Sequence, residues 1–279
     1  MELDQLYKIE NYCPEQRLEL LEKHLPLVEE RDDLYLERIT LYNQLGEYEI
    51  AQKLLAARQF HPWEGGEGKV ILQLLICHIE MAKKALYEGA NEHALQLLAK
   101  LENYPLNLGE GKLYGTSEND IHYLQGCAFE AMGLQERAEE KFILATKGIS
   151  EPVQAIFYND PQPDKIFYQG LAWLKLGNIK KSNEIFNKLI SFGTEHINDK
   201  IKIDYFAVSL PDLLVFDVDL NIKNTIHCNY LIGLGYLGLG ETKLAKVHFQ
   251  KVLDKNINHQ GALIHLKMIQ FLEKLKTVI

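Results

Sequence analysis

Apolar residues recur along this chain at helical spacing. Leu18, Leu21 and Leu25 fall on one face of EQRLELLEKHL, and Pro14 just ahead suits a first helical turn. Lys69 to Tyr87 reads as one long helix, with Glu92 to Leu101 as a shorter partner. Leu263, Leu266, Ile269 and Leu272 form the inner stripe of a last helix, Gly261 to about Lys276, with Asn258 as its expected N-cap.

A finer pattern lies over this one. Gly126, Phe129, Gly133, Ala138 and Phe142 stand at offsets 0, +3, +7, +12 and +16. The same offsets hold Gly170, Trp173, Gly177, Ser182 and Phe186, then Gly233, Tyr236, Gly240, Ala245 and Phe249. Looser copies are Ala82, Ala85, Gly89, Ala94, Leu98 and Ile39, Tyr42, Gly46, Ala51, Leu55. The small residue and the aromatic three later share a face of a first helix. The glycine after them ends it, because glycine takes a left-handed C-terminal conformation cheaply. The last two positions share a face of a second helix. Small residues let the two helices approach closely, and the large one fills the gap between pairs.

This pattern resembles the tetratricopeptide repeat, a helix–turn–helix of about 34 residues. The resemblance covers about Leu34 to Leu253 and implies an all-α, right-handed solenoid of about five helix hairpins. Residues 1–33 are expected to cap one end, 34–192 to hold four repeats, 193–223 to form an insertion, 224–254 a fifth repeat, and 258–279 a closing helix. The turn glycines Gly46, Gly89, Gly133 and Gly177 are 43, 44 and 44 apart, and Gly240 follows after 63. The surplus falls in the loops Phe60 to Gly68, Tyr104 to Ser117 and Glu151 to Pro163, and in the insertion. There IDYFAV and LLVF are apolar enough to predict burial.

A formal charge of −9 argues against a nucleic-acid surface. No apolar run is long enough for a membrane span, and MELDQLYKIE lacks a signal-peptide core, so a cytoplasmic chain is expected. Cys13, Cys77, Cys127 and Cys228 are far apart, without CxxC, and read as buried thiols.

Candidate chemistry is sparse. GEGK occurs at Gly66–Lys69 and Gly109–Lys112, but neither copy fits GxxxxGK[ST], so a nucleotide site is not expected. Two readings remain: a sharp loop with a helix starting at each lysine, or a polar ridge of Trp63, Glu67, Lys69, Asn107, Glu110 and Lys112. In NDPQPDK, Pro161 and Pro163 stiffen the chain and Asp164 is placed to cap the next helix. Cys77-His78 and His227-Cys228 are adjacent pairs whose side chains diverge on a helix, and no HExxH is present, so no metal site is expected. Asp204, Asp212, Asp217 and Asp219 crowd the insertion without a nucleophile beside them, and no catalytic signature accompanies them. No enzyme and no cofactor is therefore expected.

The resemblance also assigns a concave groove, lined by Tyr123, Cys127 and Glu130, then Phe167, Leu171 and Leu174, then Tyr230, Leu234 and Leu237. Family members that grip peptide carboxylates carry Lys, Arg and Asn there; this chain does not. So apolar a groove must be covered by a partner or by the chain itself. Part of Ile203 to Phe216, with Tyr205, Phe206 and Leu213, is the expected cover, and Tyr205 and Asp212 are also candidate binding residues.

EKHLPLVEERDDLYLERITLYNQLGEYEIA, FHPWEGGEGKV, DPQPDKIFYQGLAWLKLG and IDYFAVSLPDLLVFD resemble the C-terminal helical-repeat region of large bacterial proteins. Those proteins begin with a mutarotase-like β-sandwich domain of unknown function. This likeness implies a segment of a longer chain and no transferable catalytic residue. The expected function is a non-catalytic scaffold for a protein or peptide, or for an N-terminal domain of the same parent chain. A small saccharide held by the loop ridge and the insertion is the alternative.

Overall fold

The computed structural model describes residues 1–63, 65–154, 162–201 and 219–278. Every regular element among them is helical, with no strand. The chain divides into two compact units, and the break falls within one helix, between Lys141 and Phe142.

Unit one begins with α1 (Glu2–Ile9), α2 (Pro14–Lys23) and α3 (Leu25–Glu30). Pro14 occupies the first turn of α2, where its missing N–H costs nothing. The apolar pattern did not announce α1, whose inward face is charged. Two hairpins follow: α4 (Asp32–Leu45) with α5 (Tyr48–Ala57), and α6 (Lys69–Tyr87) with α7 (Asn91–Ala99). After a 3-10 turn at Leu106–Leu108 comes α8 (Asn119–Ala131). The predicted positions Ile39, Ala51, Leu55, Ala82, Ala85, Ala94 and Leu98 are all buried in one core. Inside that core the side-chain amide of Asn43 on α4 donates to the carbonyl oxygen and the side-chain oxygen of Gln73 on α6, at 3.0 and 2.9 Å.

The helix α9 (Gln135–Ala145) spans the break. Unit two adds α10 (Pro163–Lys175), α11 (Ile179–His196), α12 (Leu220–Gly238), α13 (Thr242–Leu253) and α14 (Gln260–Val278). All five predicted turn glycines are left-handed, with φ of 89° at Gly46, 76° at Gly89, Gly133 and Gly177, and 80° at Gly240.

In the two hairpins of unit two that open on glycine, the large residue at offset +16 does more than fill the space between hairpins. It sits on that glycine. A Cβ on Gly170 would stand 2.4 Å from the Phe186 ring, and one on Gly233 2.6 Å from the Phe249 ring. Glycines also bring α11 and α12 together: a Cβ on Gly193 would lie 2.6 Å from the Cys228 carbonyl oxygen. The helix α11 continues through Gly193 to His196, and α12 begins at Leu220. Both helices thus extend into the stretch 193–223 expected to be an insertion.

Two N-cap expectations are corrected. The helix α10 opens on Pro163, which leaves Asp164 inside its first turn. At the start of α14 the capping acceptor is Nδ1 of His259, which receives the Ala262 N–H at 3.1 Å. Asn258 instead donates its backbone N–H to Asn256 Oδ1 at 3.0 Å.

Candidate functional site

The two GEGK loops of unit one meet. The Phe60 N–H donates to the Asn107 carbonyl oxygen at 2.7 Å. The Asn107 side-chain amide donates to the carbonyl oxygens of Leu55 and Arg58, at 2.9 and 2.8 Å. These are acceptors that the end of α5 would otherwise leave open. A Cβ on Gly109, at φ 76°, would stand 2.8 Å from the Phe60 carbonyl oxygen, so the close approach requires glycine there.

Glu110 makes the second link. Its Oε2 accepts the Gly68 N–H at 2.8 Å, placing a carboxylate at the N-terminus of α6. Burial raises the Glu110 pKa against the lowering effect of that amide, and the neighbouring Glu67 adds to the rise. Trp63 lies over Gly66, where a Cβ would stand 2.2 Å from the indole, and its ring packs partly buried on the core.

Lys69 opens α6, as the sharp-loop reading expected. Lys112 does not open a helix, since α8 starts only at Asn119. Its Nζ donates to Glu118 Oε1 at 2.6 Å and to the carbonyl oxygens of Leu101 and Glu102 at 3.3 Å each, tying the loop to the end of α7. The structure therefore brings Trp63, Lys69, Asn107, Glu110 and Lys112 into one loop pair. Asn107 Nδ2, Glu110 Oε2 and Lys112 Nζ are each bonded within the protein. Glu67 is exposed beside them.

What the sequence reading missed lies in the same loop. Leu106 is 94% exposed, Leu113 75% and Tyr114 fully. The signal was available: Leu113 and Tyr114 follow GEGK directly and obey no helical period.

No protein-family model matches this sequence.

The groove residues divide between the two units. Tyr123 is partly buried on the core of unit one. In unit two Phe167 and Tyr230 are buried beneath the first turns of α14. The His265 ring stands 5.5 Å from Phe167 and 5.8 Å from Tyr230, and a Cβ on Gly261 would meet the Tyr230 hydroxyl at 2.4 Å. Leu234 and Leu237 are buried and Leu174 is exposed. The closing helix covers this apolar surface. The expected cover, Ile203 to Phe216 with Tyr205, Phe206 and Leu213, lies outside the described residues, as does Asp212.

Among the described residues no group of three metal-ligating side chains converges, and no helix is long and apolar enough to cross a membrane. Cys77 and His78 come closer than adjacent helical positions suggest, Sγ to Nδ1 at 3.4 Å, because both turn to the Leu74 carbonyl oxygen. Burial pushes the Cys77 thiol up to about 12 and lowers His78, a setting for a neutral structural pair.

Proposed function

We propose that this chain is a non-catalytic helical-repeat scaffold of the tetratricopeptide kind, and that the loop pair of unit one is its protein-docking edge. The carrying observation is the exposure of Leu106, Leu113 and Tyr114 on a loop held by hydrogen bonds to its neighbour. Apolar residues held outward on a fixed loop are a form of preorganisation: little conformational freedom is lost when a partner covers them. Burying each would contribute about 1.5–3 kcal/mol, so three are enough to anchor a modest interface. The partner is another protein, or a domain of the same parent chain.

The saccharide reading is the weaker one. It needs polar groups free beside Trp63, whereas Asn107, Glu110 and Lys112 are already engaged.

The test compares proteins bound by the wild-type chain with those bound by a Leu106→Ser/Leu113→Ser/Tyr114→Ser variant of unchanged circular dichroism. A partner bound directly by wild type, and at least roughly tenfold more weakly by the variant, is the expected result. Equal binding by both would overturn the assignment of this edge.

A further inference from the structure

The helix α1 is built inside out. Asp4 and Lys8, one turn apart, face the protein. Asp4 receives two hydrogen bonds from the fully buried Arg17, Nε to Oδ1 at 3.0 Å and Nη2 to Oδ2 at 2.7 Å. Glu37 on α4 accepts from both Arg17 and Lys8 at 2.9 Å. The opposite face holds Leu3, Leu6 and Ile9, which are 60, 39 and 47% exposed. At about 100° per residue, these positions share one third of the helix circumference. Exposed Glu2 and Glu10 bracket the stripe at its two ends.

A surface helix ordinarily turns its apolar stripe inward. This one cannot roll over, because rolling would leave Arg17 buried without Asp4, at a cost of several kcal/mol. The apolar stripe is therefore locked outward, and no other described residue covers it.

We propose that this face of α1 docks an amphipathic helix of a partner protein, one whose apolar stripe is flanked by lysine or arginine. Charge decides among the candidates. The cations at this end are committed: Lys8 and Arg17 as above, and Arg31 to Asp33 at 2.6 Å. Glu2 and Glu10 project, Glu2 also within the field of Arg31, in a chain of net charge −9. A second α1 packed antiparallel would set Glu10 against Glu2, and an anionic lipid surface would meet both carboxylates. A basic-flanked helix satisfies the carboxylates and the leucines together. The inference is independent of the loop pair.

The experiment is fluorescence anisotropy with the full chain and a labelled helical peptide carrying one leucine stripe flanked by lysines. The expected result is saturable binding that weakens with salt, with no binding of a scrambled peptide of the same composition. Leu3→Ser/Leu6→Ser/Ile9→Ser should weaken binding at least roughly tenfold. Glu2→Gln/Glu10→Gln, which leaves the buried network intact, should weaken it several-fold and flatten its salt dependence. Binding of the scrambled peptide, or unchanged binding by both variants, would overturn the proposal. So would phosphatidylserine vesicles that bind wild type but not the serine variant, or a wild-type dimer that the serine variant makes monomeric.

Discussion

The ring of Phe186 occupies the place where a side chain on Gly170 would begin, with Cε1 2.4 Å from that point. Gly170→Ala should therefore destabilise unit two, although alanine is the better helix former by about 1 kcal/mol. Overpacking costs of about 1–3 kcal/mol outweigh that gain when the obstructing atom is a buried aromatic ring. Gly233→Ala should behave alike against Phe249. Urea unfolding checks both, and a stabilised Gly170→Ala would contradict the packing described.

Arg17 is buried between Asp4 and Glu37. Its loss should cost about 3–5 kcal/mol, because Arg17→Ala leaves two carboxylates facing each other without their shared cation. Arg17→Lys should recover only part of this, since an ammonium cannot reproduce the fork on Asp4. Chemical denaturation of the two variants beside wild type measures the difference.

The same network sets an acid limit. Burial alone would raise the Glu37 carboxyl, but Lys8 and Arg17 outweigh it and hold it at about 2. A carboxyl lowered on folding contributes stability that is complete above its unfolded value near 4.5 and is lost as pH falls toward 2. The loss is about 3 kcal/mol at most. Glu37→Gln should be less stable than wild type at pH 7, and the gap should narrow below pH 4, as thermal melts at the two pH values would show.

His259 acts in a different window. Its Nδ1 must be neutral to accept the Ala262 N–H, and burial lowers its pKa to about 4. A histidine lowered on folding contributes stability that is complete above its unfolded value near 6.5 and declines as pH falls to about 4. For this partly exposed ring the loss is about 1–2 kcal/mol. His259→Asn keeps a capping oxygen without a titrating ring, so it should flatten the stability profile between pH 6.5 and 4. An unchanged slope would show that the cap does not titrate.

Asn107 and Tyr114 share a loop but not a role. Asn107→Ala should cost about 1–3 kcal/mol, because two carbonyl oxygens at the end of α5 lose their donor. Tyr114→Ala should change stability by no more than about 0.5 kcal/mol, since its side chain is fully exposed. Melting temperatures of the two variants separate the residue that builds the edge from one offered to a partner.

Helical periodicity and the spaced glycines made the hairpins legible, because a left-handed turn and a small-on-large contact each demand one residue type. Lys69 to Tyr87 matches α6 end to end. The helix α1 was not legible, since its inward face is charged and only Arg17 and Glu37, far along the chain, make burying it favourable. The role of Asn107 was hidden for a similar reason: nothing local shows that its amide reaches Leu55 and Arg58. The two loops of the predicted ridge lie side by side, and Asn107 Nδ2, Glu110 Oε2 and Lys112 Nζ are engaged within the protein through contacts that no local sequence signal announces. The apolar residues Phe167 and Tyr230 were legible as positions in need of cover. That α14 supplies the cover depends on where Gly261 and His265 land against Tyr230.

Phe186 touches two glycines on different helices, Gly170 of α10 and Gly238 of α12, where a Cβ would stand 2.4 and 2.2 Å from its ring. One aromatic thus serves as a shared tenon for two mortises. Bulk added at either glycine competes for the same hollow, so Gly170→Ala and Gly238→Ala together should cost less than the sum of each alone. Shaving the ring to leucine should relieve both at once. Neighbouring hairpins joined in this way are coupled through a single ring, so a change at one small residue is felt at the other.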